Sequence, residues 1–262
     1  MGKLVFFDID GTLLYDYDKV PKSTVLALEE LHKNGHKAFI CTGRATGFVV
    51  DPAILSLPWD GIVAACGCHV EINKEIVYEY IMSEQFIKKT LKICKDHGFR
   101  PIMEGPKSLY LNYEDFPMED PYGMRLRRSL KDIPAIEGTE ADWVVNKFSI
   151  ATEGEEEVRQ DGYRQFGPDF DILIHSKDVA ELVPKGHSKG TGILKVCEVL
   201  KIPVSETIAI GDSANDIEML KTAGIGICMG NGTKEDKAVS DYITTDILDD
   251  GVYNALKHFE LI

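Results

Sequence analysis

The sequence lacks any apolar run long enough to cross a bilayer, since its first such stretch, Leu4 to Phe7, is ended by Asp8, far short of the ~20 residues a membrane helix needs. It is also short of basic residues, with 29 Lys plus Arg against 43 Asp plus Glu and a formal charge of -14. An acidic surface is repelled by phosphodiester backbones and anionic lipids, so neither nucleic acid nor membrane is expected as a partner. Cysteine is sparse and scattered: Cys41, Cys66, Cys68, Cys94, Cys197 and Cys228 stand mostly inside apolar stretches, with no secretory segment visible. That usage excludes a disulfide-stapled scaffold and fits reduced thiols in a cytoplasmic protein. Cys66-Gly67-Cys68-His69 has no second Cys/His pair at zinc spacing, so no zinc site is expected. Met1-Gly2 is not a myristoylation signal, because Phe6 stands where that motif asks for Ser or Thr.

What is present is the composition of a globular chain, 44% hydrophobic and 27% charged over 262 residues, a length that suggests two modest domains. Short apolar runs alternate with amphipathic stretches, the pattern of parallel strands joined by helices. Leu4 to Phe7, Lys37 to Cys41 and Ile62 to Ala65 read as strands, and Ser23 as the cap of the first long helix. His69 to Ile72 and Ile76 to Tyr80 flank Asn73-Lys74 as a hairpin. From about Ser83 the rhythm breaks into helices, among them Arg125 to Lys131, mixed with strands such as Trp143 to Ala151. After Pro184 the first rhythm returns. The expected architecture is α/β, a doubly wound parallel-sheet (Rossmann-like) core of residues 1 to 82 and 185 to 262, interrupted by an α+β domain of residues 83 to 184.

Four constellations stand at the ends of strands in that core, where doubly wound sheets bind ligands. Asp8-Ile9-Asp10-Gly11-Thr12 puts two carboxylates at i and i+2, which share one side of an extended segment before Gly11 turns the chain. Like charges so close call for a cation or a shared proton, and Mg²⁺ would resolve the repulsion while leaving room for a phosphate oxygen. Thr42-Gly43-Arg44 offers a hydroxyl and backbone N–H groups to a phosphoryl oxygen. Lys189 opens a helix, where the dipole mildly opposes a cation, so an anionic partner is expected. Gly211-Asp212-Ser213-Ala214-Asn215-Asp216 returns two more carboxylates to a strand end. Each alone is equally a helix cap or turn; four of them closing four parallel strands is harder to explain that way.

In these motifs and their order the sequence resembles the haloacid dehalogenase superfamily of phosphatases, specifically its Cof-type branch. The resemblance extends to Glu218-Met219-Leu220, Met229-Gly230-Asn231 and Asp250-Gly251-Val252, and departs where Cys66-Gly67-Cys68 replaces a common Asn-Gly-Ala and Asn231-Gly232 a usual Asn-Ala. It implies a Mg²⁺-dependent phosphomonoester hydrolase of small sugar phosphates, with an α+β cap inserted between the second and third motifs as the specificity domain. Carried over by residue, Asp8 is the nucleophile and Asp10 the acid and base. Asp8, Asp10 (through its backbone carbonyl), Asp212 and, less directly, Asp216 hold the metal. Thr42, Gly43, Arg44, Asn215 and Lys189 bind the phosphoryl group and substrate, Thr42 and Lys189 also assisting catalysis. A phosphomutase, a phosphatase for pyridoxal phosphate or a flavin nucleotide, and a non-catalytic ligand sensor are the alternatives, and the chain would act as a monomer or homodimer. Within the cap, Arg125, Arg127 and Arg128 are candidates for holding a second anionic group of the substrate, and Tyr110, Asn112 and His175 are further candidates for substrate contact.

Overall fold

Residues 2–16, 18–116, 126, 130, 132–152 and 154–262 are described by a computed structural model. The chain separates into two compact units. The first holds Met1–Gly43, Asp51–Glu79 and His187–Ile262, and the second Arg44–Val50 and Tyr80–Gly186.

The first unit is built on an eight-stranded sheet. In chain order it uses β1 (Leu4–Phe7), β2 (Lys37–Cys41), β3 (Gly61–Ala64), β4 (His69–Ile72) and β5 (Glu75–Glu79). The second unit contributes β6 (Arg100–Glu104), β7 (Leu109–Tyr110), β8 (Lys147–Ala151), β9 (Phe170–Ile174) and β10 (Val179–Pro184) to a sheet of its own, after which β11 (Thr207–Gly211), β12 (Ile225–Cys228) and β13 (Tyr242–Ile243) complete the first. The order of the large sheet is β13-β12-β11-β1-β2-β3-β4-β5. Its strands are parallel from β13 to β3 and turn antiparallel at β4 and β5.

Leu4, Val5, Phe6 and Phe7 are all fully buried, as a central parallel strand covered on both faces requires. Leu4 and Phe6 join Phe39, Val63 and Val70 in a core with Ile193 and Val196 of the helix Lys189–Leu200. The β4–β5 turn has Asn73 and Lys74 at φ 52° and 68°, the left-handed pair that a two-residue hairpin uses. The first long helix, Lys22–Lys33, departs from expectation. Pro21 occupies its N-cap and no side chain caps it, while the buried Ser23 hydroxyl has no hydrogen-bond partner among the described residues. Pro21 already holds φ at −57°, near the helical value, so the chain enters the helix without a capping side chain.

The sheet of the second unit is antiparallel, in the order β7-β6-β8-β10-β9. Alternation along β8 and β10 sends Phe148, Ile150, Ala180 and Leu182 to one face, where they meet Ile87, Ile93 and Cys94 of the helix Glu84–Asp96 and Tyr163 and Phe166 of the helix Glu156–Phe166. On the other face Lys147 is buried between Glu104 at 3.1 Å and Glu181 at 2.9 Å. The segment Arg44–Val50, which the sequence pattern alone leaves with the core, is tied to the second unit by Gly47 N–H to Gly105 O and Thr46 Oγ1 to Pro106 O. The strand expected from Trp143 is shorter, because Glu140–Asp142 forms a 3₁₀ turn before β8. The expected helix from Arg125 to Lys131 lies, apart from Leu126 and Leu130, outside the described residues.

Candidate active site

Three adjacent parallel strands end together in the first unit, and each delivers one motif. Asp8 follows β1, Thr42 and Gly43 follow β2, and Asp212 follows β11. Behind β1 the chain turns at once, because Gly11 takes φ +88°; a Cβ there would lie 2.3 Å from Asp212 Oδ2. The residue is therefore glycine for two reasons, conformation and close approach. Asn231 holds the turn from outside, its Nδ2 donating to Gly11 O at 2.8 Å while its Oδ1 accepts from Ile247 N–H.

Lys189 is the first residue of its helix. Ser188 caps that helix, accepting from Thr191 N–H, and Thr191 Oγ1 returns the bond to Ser188 N–H. The reciprocal cap fixes the first turn and so the direction of the Lys189 stem. Its ammonium, fully buried, donates to Asp8 Oδ1 at 2.6 Å and to Asp216 Oδ1 at 2.5 Å. Asp216 spends its other oxygen on the backbone N–H groups of Asp212 and Ser213, both at 2.9 Å. It thereby ties Lys189 to the loop that carries Asp212. Asp212 itself accepts from Thr12 Oγ1 at 2.8 Å.

The charges do not balance. Burial and the neighbouring charges of Asp216, Asp212 and Asp10 push Asp8 well above the usual carboxylate range, with Lys189 opposing. Burial and the Asp216 charge push Asp212 up to about 7. Burial works against the charge on Lys189, yet Asp216 and Asp8 outweigh it and hold its proton tightly. Lys189 against the carboxylates of Asp8, Asp212 and Asp216 leaves an excess of negative charge in that trio that protons or a cation would offset. One ligand atom each from Asp8, Asp212 and Asp216 lies within 4.8 Å of the others. An all-oxygen donor set of this kind fits a hard divalent ion, so the residues present suit the metal that the sequence motifs imply. Asp10 stands outside that trio and acts on it through its charge.

A search among known proteins bears on this arrangement. A family model for haloacid dehalogenase-like hydrolases matches residues 5–256. The chain belongs to that family. "Putative phosphatase YkrA" of Bacillus subtilis (strain 168) is 32% identical over 265 residues, covering 100% of this chain and 99% of that one. The 5-amino-6-(5-phospho-D-ribitylamino)uracil phosphatase YitU of the same strain is 25% identical, covering 98% of this chain and 97% of its own length. Among solved structures, that of the haloacid dehalogenase subclass IIB sugar phosphatase BT4131 matches with a TM-score of 0.86 at 29% identity, over 99% of this chain and 100% of that one. This haloacid dehalogenase-like hydrolase is thus a phosphatase, an enzyme for a small phosphorylated substrate.

The remaining residues expected from the sequence are distributed unevenly. Thr42 and Gly43 are buried at the end of β2, with Thr42 N–H donating to Val63 O. Asn215 accepts from Ser213 Oγ at 3.2 Å. Arg44 belongs to the second unit, where Nη1 donates to Phe48 O at 3.5 Å and the guanidinium lies over the Phe48 ring. Of the cap candidates, Tyr110 OH donates to Asp142 O, Asn112 Oδ1 accepts from Ile136 N–H, and His175 Nε2 pairs with Glu181. Arg125, Arg127 and Arg128 lie outside the described residues. No helix among the described residues is long and apolar enough to cross a membrane.

The sequence reading gave no role to the Thr12 hydroxyl, to Asn231 or to Cys228. The last explains a departure from the family pattern. A Cβ on Gly232 would come 2.4 Å from Cys228 Sγ and 3.0 Å from Met229 O, so the usual alanine does not fit beside this cysteine.

Proposed function

We propose that the chain is a Mg²⁺-dependent phosphomonoesterase that works through an aspartyl phosphate on Asp8, with small sugar phosphates as substrates. The observation that carries the reading is the Lys189 ammonium shared between Asp8 and Asp216 at 2.6 and 2.5 Å, in a cluster where Asp8, Asp212 and Asp216 each bring one ligand atom within 4.8 Å of the others.

In this reading Asp8 attacks phosphorus in line, a bond forms from its free oxygen to phosphorus, and the bond to the leaving alcohol oxygen breaks. Asp10 gives its proton to that oxygen. It then takes a proton from the water that attacks the acyl phosphate, which returns Asp8 to a carboxylate and releases inorganic phosphate. Lys189 keeps the attacking carboxylate oriented by a hydrogen bond to one oxygen, so that the other faces phosphorus. Thr42, Gly43 and Asn215 receive the phosphoryl oxygens. Asp8, Asp212 and the backbone carbonyl of Asp10 would hold Mg²⁺, with Asp216 steadying the site through Lys189, and the ion would supply positive charge against the phosphoryl oxygens. The segment 83 to 184 acts as the cap that selects the alcohol. Similarity to a sugar phosphatase supports the substrate class, and YitU is named for a 5-phospho-D-ribityl compound, likewise a phosphorylated polyol. Both name phosphate monoesters of polyhydroxylated alcohols.

The test is phosphate release from a panel of phosphomonoesters with and without Mg²⁺. Activity is expected only with the ion, and full activity after exhaustive chelation would overturn the metal assignment.

A further inference from the structure

We propose that Asn231 is a positioning residue for Asp10, holding the turn at Gly11 so that the Asp10 carboxyl stays where the departing alcohol oxygen can take its proton. The inference deepens the phosphatase reading and rests on its assignment of Asp10 as the acid.

Asp10 is followed by the residue with the freest backbone, Gly11 at φ +88°. The turn is bonded within itself. Leu13 and Leu14 N–H donate to Ile9 O at 2.9 and 2.8 Å, and Gly11 N–H donates to Leu14 O at 3.0 Å. Side chains fasten it to neighbouring loops: Thr12 Oγ1 donates to Asp212 Oδ1 at 2.8 Å, and Asn231 Nδ2 to Gly11 O at 2.8 Å. Asn231 is exposed, yet both ends of its amide are committed to backbone, because Oδ1 accepts from Ile247 N–H at 3.0 Å. A carbonyl oxygen needs a donor and an N–H needs an acceptor, so the two partners together fix which end of the amide faces Gly11.

The loop that carries Asn231, between β12 and the helix Lys234–Val239, is itself fastened on both sides. Met229 N–H donates to Gly211 O at 2.9 Å and Thr233 N–H to Asp212 O at 3.0 Å, which ties it to the end of β11. Gly230 N–H donates to Thr245 O at 2.9 Å and Gly230 O accepts from Lys237 Nζ at 2.6 Å. A Cβ on Gly230 would lie 2.5 Å from Asp246 N, so the loop is also pressed against the segment after β13. The Asn231 amide is therefore a donor held at a fixed place beside Gly11. A general acid is worth roughly 10²–10⁴-fold and acts only within hydrogen-bond reach of the oxygen it serves. A displacement of about 1 Å can cost on the order of 100-fold. Gly11 is where the backbone next to Asp10 turns most freely, and its carbonyl is where Asn231 resists that movement.

The experiment measures kcat/KM of the full chain with Mg²⁺ on the best alkyl substrate of a hexose and polyol phosphate panel and on p-nitrophenyl phosphate. Wild type, Asn231→Ala, Asn231→Asp, Asp10→Asn and the Asp10→Asn, Asn231→Ala double variant are compared. An alkoxide needs the proton of the acid in order to leave, whereas nitrophenolate leaves without it. Because kcat/KM covers the steps up to departure of the alcohol, the later attack of water does not enter the comparison. In Asn231→Ala the alkyl value is expected to fall about tenfold further than the aryl value. Asn231→Asp keeps an acceptor for Ile247 N–H but sets an oxygen against Gly11 O, so it should show the same selective loss, and it decides the matter if the alanine form does not fold. In the Asp10→Asn background, Asn231→Ala should leave the alkyl-to-aryl ratio where Asp10→Asn alone puts it, because the group that Asn231 positions is gone. Equal losses on the two substrates, or a further selective loss in the double variant, would overturn the proposal. An unchanged ratio with weakened Mg²⁺ activation would also overturn it, by showing that Asn231 acts through Thr12 and Asp212. An unchanged ratio in Asp10→Asn alone would overturn the acid assignment beneath it, and that variant tells the two failures apart.

Discussion

As the nucleophile we propose, Asp8 must be ionised, yet it sits where burial and the Asp216, Asp212 and Asp10 charges oppose ionisation and Lys189 favours it. The conflict makes the residue sensitive to small changes. Asp8→Asn keeps the shape and a hydrogen-bonding oxygen but cannot attack phosphorus, so kcat should fall by about 1,000-fold or more while substrate still binds; substantial residual turnover in a rapid-quench assay would mean that the nucleophile is misassigned. Gly232 offers a test of packing alone. Gly232→Ala should destabilise the chain by about 1–3 kcal/mol, since the new Cβ meets Cys228 Sγ at 2.4 Å. The loss should shrink in the Cys228→Ala background, where that sulfur is absent, and additivity in urea unfolding would refute the clash. Asp8, Lys189, Asp212 and Asp216 were legible in the sequence because each closes a strand or opens a helix in a recurring motif. Thr12 as a donor to Asp212 and Cys228 as the neighbour of Gly232 were not, because both contacts join residues that no local pattern relates.

At the scale of elements, two helices of the second unit are joined by a titratable pair. His97, just beyond the helix Glu84–Asp96, has Nε2 2.9 Å from Asp161 Oδ2 on the helix Glu156–Phe166. The bond to Asp161 raises the His97 pKa above 6.5, and those to His97, Arg164 and Gln165 lower that of Asp161 to about 2. The signs follow from linkage. The histidine contribution is complete below its ordinary 6.5 and is lost as pH rises through the folded value. The aspartate contribution is complete above its ordinary 3.8 and is lost as pH falls toward 2. The stability difference between wild type and Asp161→Asn should therefore be largest between those ordinary values and shrink on either side. Urea unfolding at a series of pH values measures it, and a difference independent of pH would show that the pair contributes nothing specific. The helices themselves follow from apolar spacing along the chain. The pair across them does not, because the two residues are 64 positions apart and only packing on a common sheet makes them neighbours.

For the molecule as a whole, the fate of the phosphoryl group separates the phosphatase from the mutase alternative. A hydrolase and a mutase would share every motif residue and form the same acyl phosphate, differing in whether water or a sugar hydroxyl receives the group. We expect stoichiometric release of inorganic phosphate from hexose monophosphates without stimulation by a sugar bisphosphate; isomerised sugar phosphate accumulating faster than free phosphate would favour the mutase. By itself the sequence determined the α/β class, the order of the central strands' motifs and the family, because buried parallel strands must be continuously apolar and the groups that follow them must be of particular types. The tertiary structure decided what depends on separation in space. Lys189 meets Asp8 across 181 positions of chain, Arg44–Val50 joins the second unit through hydrogen bonds near Gly105, and Asp212 meets Thr12 Oγ1 across 200 positions. Local periodicity reports which side of an element is buried, but only the folded sheet, by bringing distant strand ends together, settles which atoms find partners.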